Sequence, residues 1–235
     1  MRLHRFFVGD ALPDVGEYTL SSKEISHQVV RVFRLGVGDS IILFNGDGFD
    51  CVSKVCDADR NALRVTIIEK RKATNPPRFS VTLCQSIVKK DNCEWIAEKA
   101  TELGVEIISF IVSDRSEKKG INLDRMHSIV REASEQCGRG TVPTVLGPTT
   151  LSDALMKASH PIVFDVSHVN ISPALFKTYA TKKDLTFFIG PEGGWSDNDR
   201  EIFAKAQAQV VSLPGNVLRA ETAAISVLAL ALLSE

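Results

Sequence analysis

From Phe79 onward, short apolar runs alternate with amphipathic helical patterns, and that alternation leaves few architectures open to the chain. VTLCQSIV reads as a strand, and DNCEWIAEKATELG reads as an amphipathic helix ending at Gly104. VEIISFIV is the next strand, and NLDRMHSIVREASEQCG is a helix stopped at Gly138. PIVFDVS, LTFFIG and QVVSL are further short strands, each followed by a loop and usually by a helical pattern. Such alternation predicts an α/β domain with a mainly parallel sheet. The preceding residues follow another rule. Residues 1 to about 72 are rich in short strand-like runs separated by Gly-Asp signals. Asn45-Gly46-Asp47-Gly48, between IILF and FDCVSKV, is a hairpin signal. SSKEISHQVVRVF opens with serines and a glutamate and then turns apolar, which predicts a short helix at about 22–33. The expectation is a small β-barrel with one helical insertion. Between the two regions, EKRKATNPPRFS contains Asn75-Pro76-Pro77, which cannot continue a central strand or a helix. A linker at about 70–79 therefore separates a domain of residues 1–72 from one of residues 73–235.

With 235 residues the chain is long enough to bury a substantial core, and 44% apolar and 24% charged residues suit a globular protein. A formal charge of −1 supplies no long-range attraction to a polyanion, so any nucleic-acid surface must come from local clustering. The opening MRLHRFFVGD lacks the apolar core of a secretory signal, and the longest apolar stretch, AAISVLALALL, is too short to span a bilayer. Neither membrane association nor export is expected. Cys51, Cys56, Cys84, Cys93 and Cys137 form no C-x-x-C pair and have no histidine at zinc-ligand spacing. Reduced thiols in a cytoplasmic protein, with no structural metal, are the expectation.

In a parallel α/β sheet, ligands gather at the carboxyl ends of the strands. Two glycine-bearing loops stand there. Gly190-Pro191-Glu192-Gly193-Gly194 follows LTFFI, and Ser196 with Asp199 then resembles a capping box with Asp in the place of Glu or Gln. Pro214-Gly215-Asn216 follows VVSL. Neither loop matches a phosphate-binding pattern, and Glu192 repels phosphate at close range, so a cationic or zwitterionic ligand fits better. A plain turn and helix cap explains either loop alone, whereas two such loops within about thirty residues favour a site. If Asn216 caps the last helix, Arg219 lies in its first turn, where a cation opposes the helix dipole. Either Glu221 compensates Arg219, or Arg219 faces an anionic ligand while Glu221 and Thr222 orient it. Asp165 ends a strand at the same sheet edge and suits a turn or a ligand. Trp195 either lines a pocket there or, as expected, packs under its loop, and none of the histidines receives a catalytic role.

Basic residues cluster at Arg2, Arg5, Arg31, Arg34, in the segment Arg60 to Arg78 with Lys70, Arg71 and Lys72, and at Lys89, Arg131 and Arg139. Arg31 and Arg34 share a face if both are helical. In a chain with no net basic bias, they suggest a basic stripe suited to an RNA backbone.

Several segments together resemble one family. IGPEGGWSDNDREIF and LPGNVLRAETA are similar to the signature segments of the RsmE family, which methylates N3 of a uridine in 16S ribosomal RNA of the small subunit. RFF at 5–7, HQVVRVFRLGVGDSIILFNGDG at 27–48, EKATELGV at 98–105 and REASEQCGRGTVP at 131–143 extend the likeness over most of the chain. The resemblance implies a PUA-like β-barrel followed by a SPOUT methyltransferase domain with a C-terminal trefoil knot, working as a homodimer. It implies S-adenosylmethionine held by Ile189, Gly190, Pro191, Glu192, Gly193 and Gly194, and by Leu213, Pro214, Gly215, Asn216, Val217 and Leu218. The accompanying hypothesis is that Arg219 stabilises negative charge on the uracil carbonyl oxygens while Glu221 or Glu192 assists deprotonation, with the basic residues above on the RNA. This chain has His27-Gln28 where the family often has paired histidines, and Leu213-Pro214 where it often has Leu-Gly. Two competing readings are a non-catalytic RNA binder on the same fold and a SPOUT enzyme acting on a ribose 2′-hydroxyl.

Overall fold

The computed structural model describes residues 3–59, 62–73, 80–167 and 184–233. Arg2, Arg60, the Asn75-Pro76-Pro77 stretch, Arg78 and His168 lie outside the described residues. The chain divides into two compact units, residues 1–76 with 134–142, and residues 77–133 with 143–235. Assignment of 134–142 to the first unit is a departure from the simple break at 72/73, and nothing in the local sequence pattern announces it.

Five strands build the first unit: β1 (Arg5–Phe7), β2 (Gly16–Leu20), β3 (Ser40–Phe44), β4 (Phe49–Ala58) and β5 (Leu63–Lys72). They pair in the order β1-β3-β4-β5-β2, with β1 parallel to β3 and the other pairs antiparallel. The hairpin between β3 and β4 turns at Asn45–Gly48, where Gly46 and Gly48 take φ of +89° and +88°, values open to glycine at little cost. Alternate residues Ile41 and Leu43, Cys51 and Val55, and Leu63, Val65 and Ile67 meet in one core with Val29.

The helical insertion begins as expected. α1 (Lys23–His27) is capped by Ser22, whose hydroxyl accepts from the Ile25 N–H. Instead of continuing as α-helix to residue 33, the chain widens into a π-helical turn, Gln28–Val32. It closes with the Leu35 N–H donating to the Val29 carbonyl at 2.9 Å and Arg34 at φ +56°. Glycine is the usual residue at such a left-handed cap, and an L side chain there costs about 1–2 kcal/mol. Arg34 thus lies beyond the helix, and the shared helical face expected for Arg31 and Arg34 does not form.

Arg5 is only 9% exposed. Its guanidinium forks onto Asp50 at 2.6 and 2.7 Å, donates to the Arg139 carbonyl at 3.1 Å and lies over the Phe44 ring. The 134–142 segment is fastened to β1 a second time, by the Phe7 N–H donating to Glu135 Oε1 at 2.8 Å. At Gly140 a Cβ would fall 2.3 Å from the Ala73 Cβ, so only glycine permits this approach.

The second unit holds a wholly parallel sheet of β6 (Ser80–Ser86), β7 (Ile107–Val112), β8 (Thr144–Thr150), β9 (Pro161–Phe164), β10 (Asp184–Ile189) and β11 (Gln209–Val211). Its order is β11-β9-β10-β6-β7-β8. The helices are α2 (Lys90–Leu103), α3 (Leu123–Cys137), whose residues from 134 onward belong to the first unit, α4 (Leu151–Lys157), α5 (Asp197–Lys205) and α6 (Ala220–Leu232). Cys84, Ile111, Val163 and Phe188, from four neighbouring strands, pack with Leu151, Leu155 and Phe203 of α4 and α5. Val81, Leu83, Leu185 and Phe187 are buried too, as a parallel sheet covered on both faces requires. β8 and α4 escape a pattern reading because Gly147-Pro148 interrupts the strand TVLGPTT. Its position at the sheet edge explains why a residue without an N–H is tolerated.

Truncating Asp50 tests how much the first unit leans on its buried pair. Asp50→Ala leaves the Arg5 guanidinium buried without its anion and should cost about 3–5 kcal/mol. Urea unfolding followed by fluorescence measures it, and a loss below about 1 kcal/mol would show that the pair is not what holds β1 to β4.

Candidate active site

The strand ends of the second unit surround a cavity of about 690 Å³. Ile189, Gly190, Pro191, Glu192, Gly193 and Gly194 all line it, and so do Val217, Leu218, Arg219 and Glu221. The first glycine loop thereby shares one space with the stretch just past the second, whose own Pro214, Gly215 and Asn216, with Leu213, are not among the lining residues described. Phe164, Asp165 and Val166, from the end of β9, form another wall, and Lys89 and Asn92, from the start of α2, a further one.

The first loop is a self-closed turn on a fixed support. The Gly194 N–H donates to the Pro191 carbonyl at 2.9 Å, and Gly194 takes φ +66°. Trp195, 1% exposed, packs beneath the loop with its indole N–H donating to the Phe164 carbonyl at 2.9 Å. A Cβ on Gly190 would come within 3.1–3.3 Å of that ring. A side chain at 190 would therefore crowd the tryptophan, a structural reason for glycine that the ligand argument from sequence did not contain. Ser196 and Asp199 then form the expected capping box at the start of α5.

The loop after β7 reaches this turn, and the sequence reading missed it. Arg115 Nη1 donates to the Gly193 carbonyl at 3.0 Å. Asp114 Oδ2 accepts from the Ser196 hydroxyl at 2.6 Å and from the Asn198 amide at 3.1 Å. Those two hydrogen bonds hold the Asp114 carboxyl below the ordinary carboxylate range. Asp and Arg in a polar loop carry no motif, so only the fold brings them to Gly193 and Ser196.

Charges divide sharply in how they are engaged. Glu192 Oε1 accepts from the Lys89 N–H at 3.2 Å, next to the start of α2, which has no side-chain cap of its own. The Asp165 side chain is 2% exposed and accepts from Arg200 Nε at 2.9 Å. Burial pushes its carboxyl up, but hydrogen bonds from Arg200 and Ser167 outweigh that and hold it low. Glu221 differs, because its buried Oε2 has no hydrogen-bond partner. Arg219 is the N-cap residue of α6, so the helix begins at Ala220 and not at a cap on Asn216. Its guanidinium is exposed and makes no ion pair among the described residues.

Comparison with known proteins narrows what such a site does. A family model described as an RNA methyltransferase domain matches residues 74–232, and an RNA methyltransferase PUA domain matches residues 22–68. A ribosomal RNA small subunit methyltransferase E from Aquifex aeolicus is 30% identical over 90% of this chain and 92% of its own length. The chain belongs to the RsmE family of RNA methyltransferases. An RsmE from Rickettsia conorii is 29% identical over 97% of this chain and 95% of its own. Among solved structures, an RsmE from Neisseria gonorrhoeae bound to S-adenosylmethionine superposes with a TM-score of 0.85 at 27% identity, covering 97% of this chain and 96% of that one. A Legionella pneumophila methyltransferase structure with bound cofactor gives 0.86 at 26% identity, covering 98% and 97%. The mixed α/β fold with an N-terminal PUA-like unit is the RsmE fold.

The predicted RNA contacts fall into distinct environments. Arg31, Arg34 and Lys72 are exposed, as is Lys89 at the cavity. Lys70 pairs with Asp14 at 3.1 Å, Arg71 lies 3.8 Å from Glu69, and Arg139 donates to the Thr141 hydroxyl. Arg131 is half-buried on α3. Arg5 is spent on Asp50 and is withdrawn from the contact set.

The Asp165–Arg200 pair makes a pH-dependent contribution. Because the folded carboxyl is held below its unfolded value near 3.9, its stabilisation is complete above about pH 4 and is lost as pH falls through the folded value. Arg200→Ala should cost about 1–2 kcal/mol at pH 7, discounted for the half-exposed guanidinium, and the gap to the parent should shrink at pH 3. Urea midpoints at the two pH values check this.

Proposed function

We propose that the protein transfers a methyl group from S-adenosylmethionine to N3 of a uridine in 16S ribosomal RNA of the small subunit. The observation that carries this reading is the 690 Å³ cavity at the strand ends, in which a buried Glu221 oxygen lacks a partner. An unpaired buried carboxylate oxygen is costly in a closed structure and suits a site that a ligand completes. Phe164, Val166, Ile189, Val217 and Leu218 offer apolar walls for the adenosine, and the carbonyls of the 190–194 turn offer acceptors. Glu192, which lines the cavity, suits a ligand bearing positive charge.

S-adenosylmethionine supplies an electrophilic methyl group when bound. The chain must align the acceptor with it and remove one proton. Uridine N3 is weakly nucleophilic until that proton leaves. Glu221 takes the proton, and Arg219 stabilises the negative charge that develops on the uracil carbonyl oxygens. Of the carboxylates proposed from sequence, Glu221 is favoured over Glu192, because Glu192 already binds the Lys89 N–H. Glu192 and Arg115 act as positioning residues that tie the 190–194 turn to the loops after β6 and β7.

Residues 1–72 serve RNA recognition and residues 73–235 methyl transfer. The RNA contact set is Arg31, Arg34, Lys72 and Lys89, with Lys70, Arg71, Arg131 and Arg139 as secondary members. The C-terminal chain forms the trefoil knot of SPOUT enzymes; the return from edge strand β11 past the cavity to α6, which packs against α2, supports this. The enzyme works as a homodimer, for which the nearly all-apolar α6 and the exposed Trp95, Leu230 and Leu233 argue. It acts in the cytoplasm, in keeping with five unpaired cysteines. No helix of the described residues is long and apolar enough to cross a membrane.

Labelled methyl transfer into small ribosomal subunits lacking the modification, followed by nucleoside analysis, should yield N3-methyluridine. A different methylated nucleoside, or none, overturns the assignment. Arg219→Ala should lower turnover about 100- to 1000-fold with donor affinity retained. Arg115→Ala should behave oppositely, raising the donor dissociation constant about three- to tenfold and sparing turnover at saturation. Calorimetry and single-turnover assays separate the two.

A further inference from the structure

The first unit exposes an aromatic pair for which methyl transfer has no use. The His4 and Phe33 rings lie 4.1 Å apart at 38°. Buried Phe6 meets Phe33 edge-on at 5.7 Å, so Phe33 is braced on one side while 40% of it stays open to solvent. A ring already held by two neighbours loses little freedom when a further ring stacks on it. Packing does not demand this exposure, because Val29 is fully buried in the core and Val30 and Leu35 pack against it.

Two cations lie on either side of Phe33 in sequence. Arg31 lies within the π-helical turn and Arg34 directly follows Phe33. Both are exposed, and neither guanidinium has a hydrogen bond or ion pair among the described residues. Arg34 moreover occupies the left-handed cap position at φ +56°, where glycine would be unstrained. Strained backbone and π-helical turns recur where a side chain must be aimed at a ligand. An arginine kept in a glycine position, beside an open aromatic ring, is one such placement.

We infer that His4, Phe33, Arg31 and Arg34 form a surface for an unpaired nucleotide of the RNA, its base stacked on the aromatic pair and adjoining phosphates met by the arginines. This rests on the RNA-methyltransferase reading and adds to it a preference for single-stranded over duplex RNA. Duplex bases are already stacked on one another, and a duplex offers this surface only its phosphates.

Fluorescence anisotropy on the full chain, with a short labelled single-stranded oligoribonucleotide and its blunt duplex, tests the inference. Phe33→Ala should weaken single-strand binding about tenfold and duplex binding by less than about twofold, while Phe33→Tyr keeps both. Arg34→Gly should leave the unfolding midpoint unchanged or raised, yet weaken single-strand binding and flatten its log-salt slope by about 0.7. Wild-type-like binding by Phe33→Ala, or equal weakening on both RNAs, overturns the platform. If the parent protein still methylates RNA in that case, only the platform fails. If the parent neither binds nor methylates RNA, both readings fail together.

Discussion

A wholly parallel sheet ends all its strands at one edge, and that constraint governs the second unit. Each connection must cross a face of the sheet and return, so the loops after β6, β7, β9 and β10 converge at the same side. Insertion of β10 between β9 and β6 brings the 190–194 turn beside the end of β9 and the start of α2. The turn is then held from three directions: Trp195 below it, Arg115 at Gly193 and the Lys89 N–H at Glu192. All three holds are contacts within the protein. The cavity is preorganised by the sheet's own connectivity, which limits what must be ordered when a ligand enters.

The same constraint sorts the ionisable groups. Asp165 and Asp114 are acids whose hydrogen bonds are satisfied within the protein, by Arg200 and Ser167 in one case and by Ser196 and Asn198 in the other. Their work is to hold loops. Burial drives the Cys84 and Cys93 thiols up to about 12 and about 11, which keeps them protonated and unreactive at neutral pH. Glu221 and Arg219 are left with unspent capacity, one an orphaned acceptor and the other an exposed cation at the beginning of the same helix. Those two are the groups to which the proposal assigns the chemistry.

Local signals were legible wherever the physics was local. The Asn45–Gly48 hairpin, the Ser22 cap, the Gly104 stop and the Ser196–Asp199 capping box each depend on a few adjacent residues, and each was readable as such. β8 was not, because Gly147-Pro148 breaks its pattern and only an edge position makes it a strand. Long-range partners were invisible too. Arg5 looks like any other cation until Asp50 lies beside it, and Arg115 carries no sign of Gly193. The π-helical turn shifted Arg34 out of register with Arg31, an outcome that a 3.6-residue period cannot express. At the cavity, the 190–194 turn and the types and spacing of Arg219 and Glu221 stood out in the sequence, whereas Pro214-Gly215-Asn216 is not among the lining residues and the crowding of Gly190 emerges only with the tryptophan ring.

These fates explain how a chain of net charge −1 can still serve RNA. No long-range field draws the polyanion in, so affinity must arise at contact, from a few unspent cations and from stacking. Counting arginines misjudges that capacity, since Arg5 and Arg200 are committed to carboxylates and Lys70 is paired with Asp14. A stacking ring then carries a larger share of the energy than it would on a strongly basic surface. On the proposed His4–Phe33 platform, specificity rests on finding an unstacked base, a feature of loops and bulges rather than of helices. A single-stranded target is also the one in which a uridine N3, hidden by pairing in a duplex, is free to react.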